Sequence, residues 1–115
     1  MASNGKNMCF RWQTVGNAWL ISYDICNPRR LTRVHRLLRS CAIPLQYSVF
    51  LALLDRPAVD RLASELEHII DTRCDDVRLY HLPSRVEWRQ MGRPWLPRGT
   101  ALYQKGLPVE PLSNL

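Results

Sequence analysis

The segment of residues 18–25, Ala-Trp-Leu-Ile-Ser-Tyr-Asp-Ile, is apolar on both of its alternating faces. A strand with this pattern is covered on both sides, which is typical of the centre of a sheet. Asn27 and Pro28 end the run and favour a helix start, because proline is tolerated in the first helical turn. The chain is therefore expected to fold around a central strand that leads directly into a helix.

Two segments carry the 3.6-residue period of amphipathic helices. The first runs from Pro28 to about Cys41, and the second runs from Asp55 to about Thr72. Their apolar positions recur at spacings of three and four residues: Leu31, Val34, Leu37, Leu38 and Cys41, then Val59, Leu62, Leu66, Ile69 and Ile70. Each helix is thus expected to present one apolar face to a sheet.

Two further segments have the composition of strands. Residues 43–54 predict two short strands with an irregularity near Ser48, and residues 76–82 alternate until Pro83. The order strand, helix, two strands, helix, strand predicts an α+β fold, the ferredoxin-like βαββαβ sandwich. Because both helices cover one face of that sheet while the first strand is apolar on both, we expect a homodimer with its sheets packed face to face.

The length of 115 residues suits one compact domain. We expect a core domain over residues 18–83, an N-terminal extension over 1–17 and a basic, aromatic C-terminal tail over 84–115. The tail interleaves cations with aromatic rings: Arg85, Trp88, Arg89, Arg93, Trp95, Arg98, Tyr103 and Lys105. Such a tail is expected to dock on a partner protein or to add a strand to a sheet, with base stacking as the alternative.

Composition also narrows the class of protein. No apolar run reaches the roughly 20 residues of a membrane-spanning helix, and no leader pattern follows Met1, so we expect a cytoplasmic protein without a membrane partner. The four cysteines lack the spacing of zinc ligands. We expect reduced thiols, with Cys26 and Cys41 packing as small hydrophobic residues. The sequence also lacks a glycine-rich phosphate loop, so no nucleotide cofactor is expected.

The basic residues are unevenly distributed. The net charge is +6, yet residues 18–83 contain nine basic and eight acidic residues, so most of the excess lies towards the two ends. The first predicted helix is the exception within the core, because it carries five arginines and no acid: Arg29, Arg30, Arg33, Arg36 and Arg39. These arginines are candidates for binding nucleic-acid phosphates, and a merely solvated outer face is the alternative.

Asp24 is the candidate catalytic and metal-binding residue. It stands near the end of the central strand, immediately before the arginine-rich helix. Mg²⁺ binds one or two carboxylates and completes its shell with water and phosphate oxygens, so we expect one Mg²⁺ (or Mn²⁺) shared by two Asp24 carboxylates at a dimer interface. Arg30 and Arg33 would then steady the phosphodiester. A helix cap or turn is the structural alternative for Asp24.

Four segments, in this order and spacing, resemble the small CRISPR-associated adaptation protein, the second of the two core spacer-acquisition proteins. They are Trp-Leu-Ile-Ser-Tyr-Asp-Ile at 19–25, the basic helix at 29–38, Gln-Tyr-Ser-Val-Phe at 46–50 and Asp-Val-Arg-Leu-Tyr-His-Leu at 76–82. The resemblance covers residues 18–83. It implies the same homodimeric ferredoxin-like fold.

The resemblance also implies a function. Members of this family join the CRISPR integrase, bridge its dimers over protospacer DNA, and have been described as magnesium-dependent endonucleases acting on RNA or DNA. Asp24 matches the metal ligand, and Tyr23, Arg33, Ser48 and Phe50 match supporting positions. Whether the chain is an endonuclease of the endoribonuclease type or a scaffold without catalysis stays open at this point. A toxin-type ferredoxin-like ribonuclease outside CRISPR is the remaining alternative.

Overall fold

A computed structural model describes residues 7–13, 17–92 and 109–114. The elements follow in the order β1 (Asn7–Gln13), β2 (Ala18–Asp24), α1 (Pro28–Cys41), β3 (Ile43–Gln46), β4 (Val49–Leu53), α2 (Arg56–Ile69), β5 (Asp76–His81), β6 (Arg85–Met91) and β7 (Val109–Asn114). The predicted strands and helices of the core are confirmed, with ends that differ by at most three residues.

Strands β2 to β5 form one antiparallel sheet in the spatial order β3-β4-β2-β5. The central strand is β2, as its apolar faces predict. Both helices connect strands across the same face of this sheet, where their apolar residues join those of β2 and β4 in one core. The predicted ferredoxin-like fold is therefore confirmed.

Both helices begin at a side-chain cap. The side-chain oxygen Oδ1 of Asn27 accepts the backbone N–H groups of Arg29 and Arg30, and the Asp55 carboxylate accepts that of Ala58. These bonds satisfy backbone donors that have no partner within a first helical turn. Each helix has 14 residues, and among the described residues no helix is both long and apolar enough to span a membrane.

The main core lies between the sheet and the two helices. Its largest fully buried side chains include Ile21 and Phe50 from the sheet, Val34 and Leu38 from α1, and Leu66 from α2. Removing such a side chain from water contributes roughly 1.5–3 kcal/mol. The alternation of β2 explains the arrangement, because Trp19, Ile21 and Tyr23 point towards the helices while the intervening residues point to the opposite face.

The face of the sheet opposite the helices is covered in part by the chain itself. Leu82, Val86 and Trp88 pack against Ala18, Ile43 and Leu51, which are buried. Other side chains on this face, Leu20 and Val49, are only half-buried, and Tyr80 is 46% exposed. Strand β6 thus covers part of the surface that a second subunit was expected to cover, and the homodimer stays a prediction.

A second sheet forms outside the core in the order β6-β1-β7. Strand β1 pairs antiparallel with both neighbours along its length. Residues 7–13 show no period in the sequence. They form a strand by pairing with segments from the far end of the chain, so no local pattern indicates it. The tail residues Arg93, Trp95, Arg98, Tyr103 and Lys105 lie outside the described residues.

The cysteines follow the prediction only in part. Cys41 is half-buried and packs against the core, as expected. Cys26 is exposed, so the prediction that it packs as a small hydrophobic residue is wrong. The reason is that β2 ends at Asp24, which leaves Cys26 in the bend before α1 rather than in the sheet.

Candidate functional site

Asp24 is the last residue of β2 and its side chain is exposed. It lies on the face of the sheet opposite the helices, because the preceding Tyr23 points into the helix-side core. The antiparallel register of β2 and β5 places Asp24 directly across from Asp76. A second carboxylate therefore stands opposite the predicted metal ligand within the same chain.

Asp76 is a candidate site residue that sequence reasoning missed. Its carboxylate accepts a hydrogen bond from the Arg78 Nε–H at 3.1 Å, and both side chains are more than half exposed. Two carboxylates directly across a sheet repel each other unless a cation compensates them. The alternation of residues 76–82 shows that Asp76 begins a strand, but only the strand pairing reveals that it faces Asp24.

Asp24 and Asp76 suit a hard divalent cation. Mg²⁺ takes oxygen ligands from one or two carboxylates and keeps several waters or phosphate oxygens. The Asp24 and Asp76 carboxylates are exposed and carry the required charge, so the residue types fit such an ion. The predicted sharing of one ion by two Asp24 residues stays a prediction.

The five arginines of α1 divide into two groups. Arg29, Arg33, Arg36 and Arg39 are exposed and, within the described part of the chain, form no ion pair with an acid. Arg30 is different, because its guanidinium donates two hydrogen bonds to the Asp75 carboxylate, from Nε at 2.7 Å and from Nη2 at 3.2 Å. Four of the five are therefore available to an anionic ligand.

Asp75 is a buried carboxylate whose side chain has no exposed surface. Besides Arg30, it accepts the backbone N–H groups of Cys26 at 2.9 Å and of Asp71 at 2.8 Å. The hydrogen bond from Arg30, supported by the two backbone donors, holds the pKa of the Asp75 carboxyl well below its usual range, although burial opposes the shift. Asp75 thus fixes the bend before α1 against the turn before β5.

Three of the four predicted supporting residues, Tyr23, Ser48 and Phe50, do not surround Asp24. Phe50 is buried in the helix-side core, 6.2 Å from the Tyr23 ring between centroids. The Tyr23 hydroxyl is hydrogen-bonded to His35 Nδ1 at 3.1 Å, and burial, followed by the proximity of Tyr47, raises its pKa. Ser48 occupies the turn between β3 and β4 with φ of 61°. Tyr23 and Phe50 therefore support the sheet from the face opposite to Asp24.

These residues line a separate groove of about 400 Å³ between α1 and the β3–β4 hairpin. Its walls are mostly apolar, and its polar groups come from the ends of Tyr23, Thr32, His35 and Ser48. Tyr47 borders it and is 74% exposed. The groove and the Asp24 region lie on opposite faces of the sheet, so the structure does not join them into one site.

Known proteins resemble this chain in sequence and in fold. The family model described as CRISPR associated protein Cas2 matches residues 17–90. The chain belongs to the Cas2 family of CRISPR-associated proteins. The match covers the whole ferredoxin-like sheet and extends through most of β6, beyond the end of the core expected from the sequence.

Individual relatives in the Cas2 family bear this out. The chain is 44% identical over 92 residues to a CRISPR-associated endoribonuclease Cas2 of Nitrosomonas europaea, covering 80% of this chain and 86% of the relative. It is 38% identical over 66 residues to one of Thermodesulfovibrio yellowstonii, covering 57% and 72%. The relatives' names place endoribonuclease activity on those proteins, within CRISPR systems.

Solved structures show the same fold. Streptococcus pyogenes Cas2 superposes with a TM-score of 0.54 at 28% identity, covering 57% of this chain and 86% of that one. A hypothetical protein from Thermus thermophilus superposes with a TM-score of 0.60 at 27% identity, covering 67% and 94%. The shared part corresponds in extent to the Cas2 core.

Proposed function

We propose that this chain acts in CRISPR adaptation as a homodimeric subunit that binds DNA and bridges dimers of the adaptation integrase. The observation that carries the proposal is the set of exposed arginines on α1 without acidic partners among the described residues, in a chain of a CRISPR-associated family. Family membership favours this function over a toxin-type ribonuclease outside CRISPR.

The spacing of the four exposed arginines suits a polyanion. Arg29 and Arg39 are ten residues apart on one continuous helix, which corresponds to about 15 Å along its axis. Successive arginines of this set are three or four residues apart, so their like charges repel each other in the free protein. Nucleic-acid phosphates relieve the repulsion while releasing counterions. Such interactions are made with the backbone, so they position the duplex without reading its sequence.

Homodimer formation is supported by the face of the sheet opposite the helices. Leu20 and Val49 are half-buried there and Tyr80 is 46% exposed, although β6 covers the neighbouring Ala18 and Leu51. A second copy packed on this face would bury the remaining apolar surface by a self-complementary interface. Two copies would also double the number of exposed arginines available to one duplex and give the integrase two equivalent docking positions.

Metal-dependent endonuclease activity is the second candidate function. It is favoured by the exposed Asp24 opposite Asp76 and by the endoribonuclease names of the relatives. Asp24, together with Asp76 or with a second Asp24, would hold Mg²⁺ or Mn²⁺. The bound ion would supply Lewis-acid polarisation of a phosphoryl oxygen and a more acidic water. Arg29 and Arg33 in the first turns of α1, which begins four residues after Asp24, would hold the phosphodiester.

Nucleic-acid binding tests the leading proposal directly. We would measure the affinity of the purified chain for a short labelled DNA duplex in EDTA, for the wild type and for R33A/R36A. Removing two guanidinium groups should weaken binding at least tenfold and lower the slope of log affinity against log salt by about 0.9 for each phosphate that is no longer neutralised. The matched control is R61A, which removes an exposed arginine from α2. Equal affinity for R33A/R36A and wild type would contradict the proposal.

Bridging requires the integrase. The chain should form a stable complex with the adaptation integrase of its own CRISPR locus, with two copies of the chain at its centre by light scattering. Spacer integration by that complex should fall in R33A/R36A and persist in R61A. Integration that proceeds equally well without the chain would exclude the bridging role.

A further inference from the structure

Two exposed cysteines from distant parts of the sequence meet at one end of the sheet. Cys26 lies in the bend between β2 and α1, and Cys74 lies in the turn before β5, 48 residues later. The two sulfur atoms and a carboxylate oxygen of Asp75 all lie within 4.8 Å of one another. The fold thus brings together two thiols that the sequence separates.

The loops that carry these thiols are held by several hydrogen bonds. The Cys26 S–H donates to the Cys74 carbonyl oxygen at 2.7 Å, and the Cys26 backbone N–H donates to Asp75 Oδ1 at 2.9 Å. The buried Asp75 carboxylate also accepts the backbone N–H of Asp71. Because one buried group fixes both loops, the two sulfur atoms are kept close together.

A metal site fits this cluster poorly. Both oxygens of the Asp75 carboxylate already accept hydrogen bonds, from Arg30, Cys26 and Asp71. The Arg30 guanidinium also lies 3.4 Å from the Cys74 sulfur and would repel a cation there. Without Asp75, two thiolates remain, fewer than the three or four protein ligands of a stable zinc site.

We propose that Cys26 and Cys74 form a reversible dithiol–disulfide pair that locks the bend before α1 to the turn before β5. The oxidant is a low-molecular-weight disulfide. The Cys26 thiolate attacks one of its sulfur atoms, forms a mixed disulfide and expels one thiol. The Cys74 thiolate then attacks the Cys26 sulfur and expels the second thiol. Two electrons pass from the protein to the oxidant, and the two protons are carried away with the expelled thiols.

Proximity favours the second step. The Cys26 and Cys74 sulfur atoms lie within 4.8 Å of each other. Once Cys26 carries the mixed disulfide, the attack by Cys74 is therefore intramolecular.

Oxidation would have a structural consequence for the Asp24 region. Cys26 follows Asp24 by two residues, and Cys74 precedes Asp76 by two residues. The disulfide would join the two strand ends that carry these carboxylates and would close a loop containing α1, β3, β4 and α2. Closing a long loop restricts the unfolded chain and stabilises the native state. This inference does not depend on the proposed role in adaptation.

The experiment uses the full chain in a C9S/C41S background, which leaves Cys26 and Cys74 as its thiols. After treatment with oxidised glutathione, the free thiols measured under denaturing conditions should fall from two to zero per chain. Peptide mapping should give one cross-linked peptide containing both residues. The unfolding temperature should rise by several degrees, and dithiothreitol should reverse the rise. The C9S/C26S/C41S variant should take up one glutathione and show no such rise.

Four results would overturn the proposal. One is two free thiols after prolonged treatment, and another is two stable glutathione adducts on the same chain. The third is a disulfide between chains, seen as a dimer on a non-reducing gel, in place of the cross-link within one chain. A rise in unfolding temperature with Zn²⁺ in the reduced protein, without any disulfide after oxidation, would also overturn it and assign the cluster to metal binding.

Discussion

The Asp75 carboxylate accepts a hydrogen bond of 2.7 Å from the Arg30 Nε–H, across 45 residues of sequence. The ion pair takes one arginine of α1 out of the set available to nucleic acid and uses it to hold the end of the sheet together. Its partner Asp75 is fully buried, whereas the neighbouring Arg29 and Arg33 are exposed. Adjacent residues of one basic helix therefore have different roles.

Replacing Arg30 should cost stability, whereas replacing Arg33 should not. In R30A the buried Asp75 carboxylate loses its charged partner, which is a strongly destabilising change. We expect the unfolding temperature of R30A to fall by several degrees and that of R33A to stay within about one degree of wild type. The reverse holds for DNA affinity, which should fall in R33A. Equal stability of the two variants would contradict the structural role of Arg30.

The same pair predicts how stability depends on pH. The folded-state pKa of Asp75 lies below that of an unfolded aspartate, about 3.9, so the carboxylate stabilises the fold above that value. This contribution should be lost progressively as the pH falls below about 5. Urea unfolding of wild type and D75N between pH 3 and pH 7 tests this, because the difference in stability between them should shrink on the acid side. D60N, an exposed acid on α2, should follow the wild type throughout.

Core packing gives a third prediction. Phe50 is 1% exposed, whereas Tyr47, three residues earlier, is 74% exposed. The F50A variant should lose about 3–5 kcal/mol of unfolding free energy because it leaves a cavity against Tyr23 and His35. Y47A should change by no more than about 0.5 kcal/mol. Chemical denaturation measures both, and a small loss in F50A would show that Phe50 is not a core residue.

Ser48 gives a fourth prediction. Its φ of 61° lies in the left-handed region, where β-branched residues are strained. Its Oγ–H donates to the Tyr47 carbonyl oxygen at 2.6 Å, which makes Ser48 a turn residue. S48V should lose about 1–2 kcal/mol of unfolding free energy, whereas S48G should keep wild-type stability within about 1 kcal/mol. Weaker DNA binding by a stable S48G would instead favour a phosphate-binding role.

The sequence predicted the core because its information is local. The double-sided apolar pattern of β2 and the two helical periods depend on neighbouring residues, and they placed Asp24 at a strand end correctly. The hydrogen bonds of Asp75 with Arg30 and with the Cys26 backbone depend on two loops closing over each other, which no local pattern encodes. The pairing of β1 with β6 likewise depends on segments at opposite ends of the chain.

Family resemblance and structure diverge at the supporting positions. Matching the family pattern grouped Tyr23, Ser48 and Phe50 with Asp24 as supporting positions. Alternation along a strand then separates Tyr23 from Asp24, since successive side chains point to opposite faces. The residue that does face Asp24 is Asp76. The register of β2 and β5 places it there, and the family pattern did not indicate it.

The opposed carboxylates give the last prediction, which concerns divalent metal. If Asp24 and Asp76 bind Mg²⁺, millimolar Mg²⁺ should raise the unfolding temperature of the wild type, and D24N should lose that rise. Without metal, D24N should be as stable as wild type or gain up to about 1 kcal/mol, because the repulsion across the strands disappears. D60N, which removes an exposed acid from α2, should respond to Mg²⁺ as the wild type does.

Cleavage of labelled RNA and DNA, measured on the same samples, separates the two candidate functions. A metal-dependent endonuclease should lose cleavage in D24N while keeping its affinity in EDTA, because the α1 arginines are intact. If the chain is a scaffold, D24N should support spacer integration with the integrase at the wild-type rate. Cleavage that persists in D24N would exclude Asp24 as the metal ligand and would direct attention to other acids of the chain.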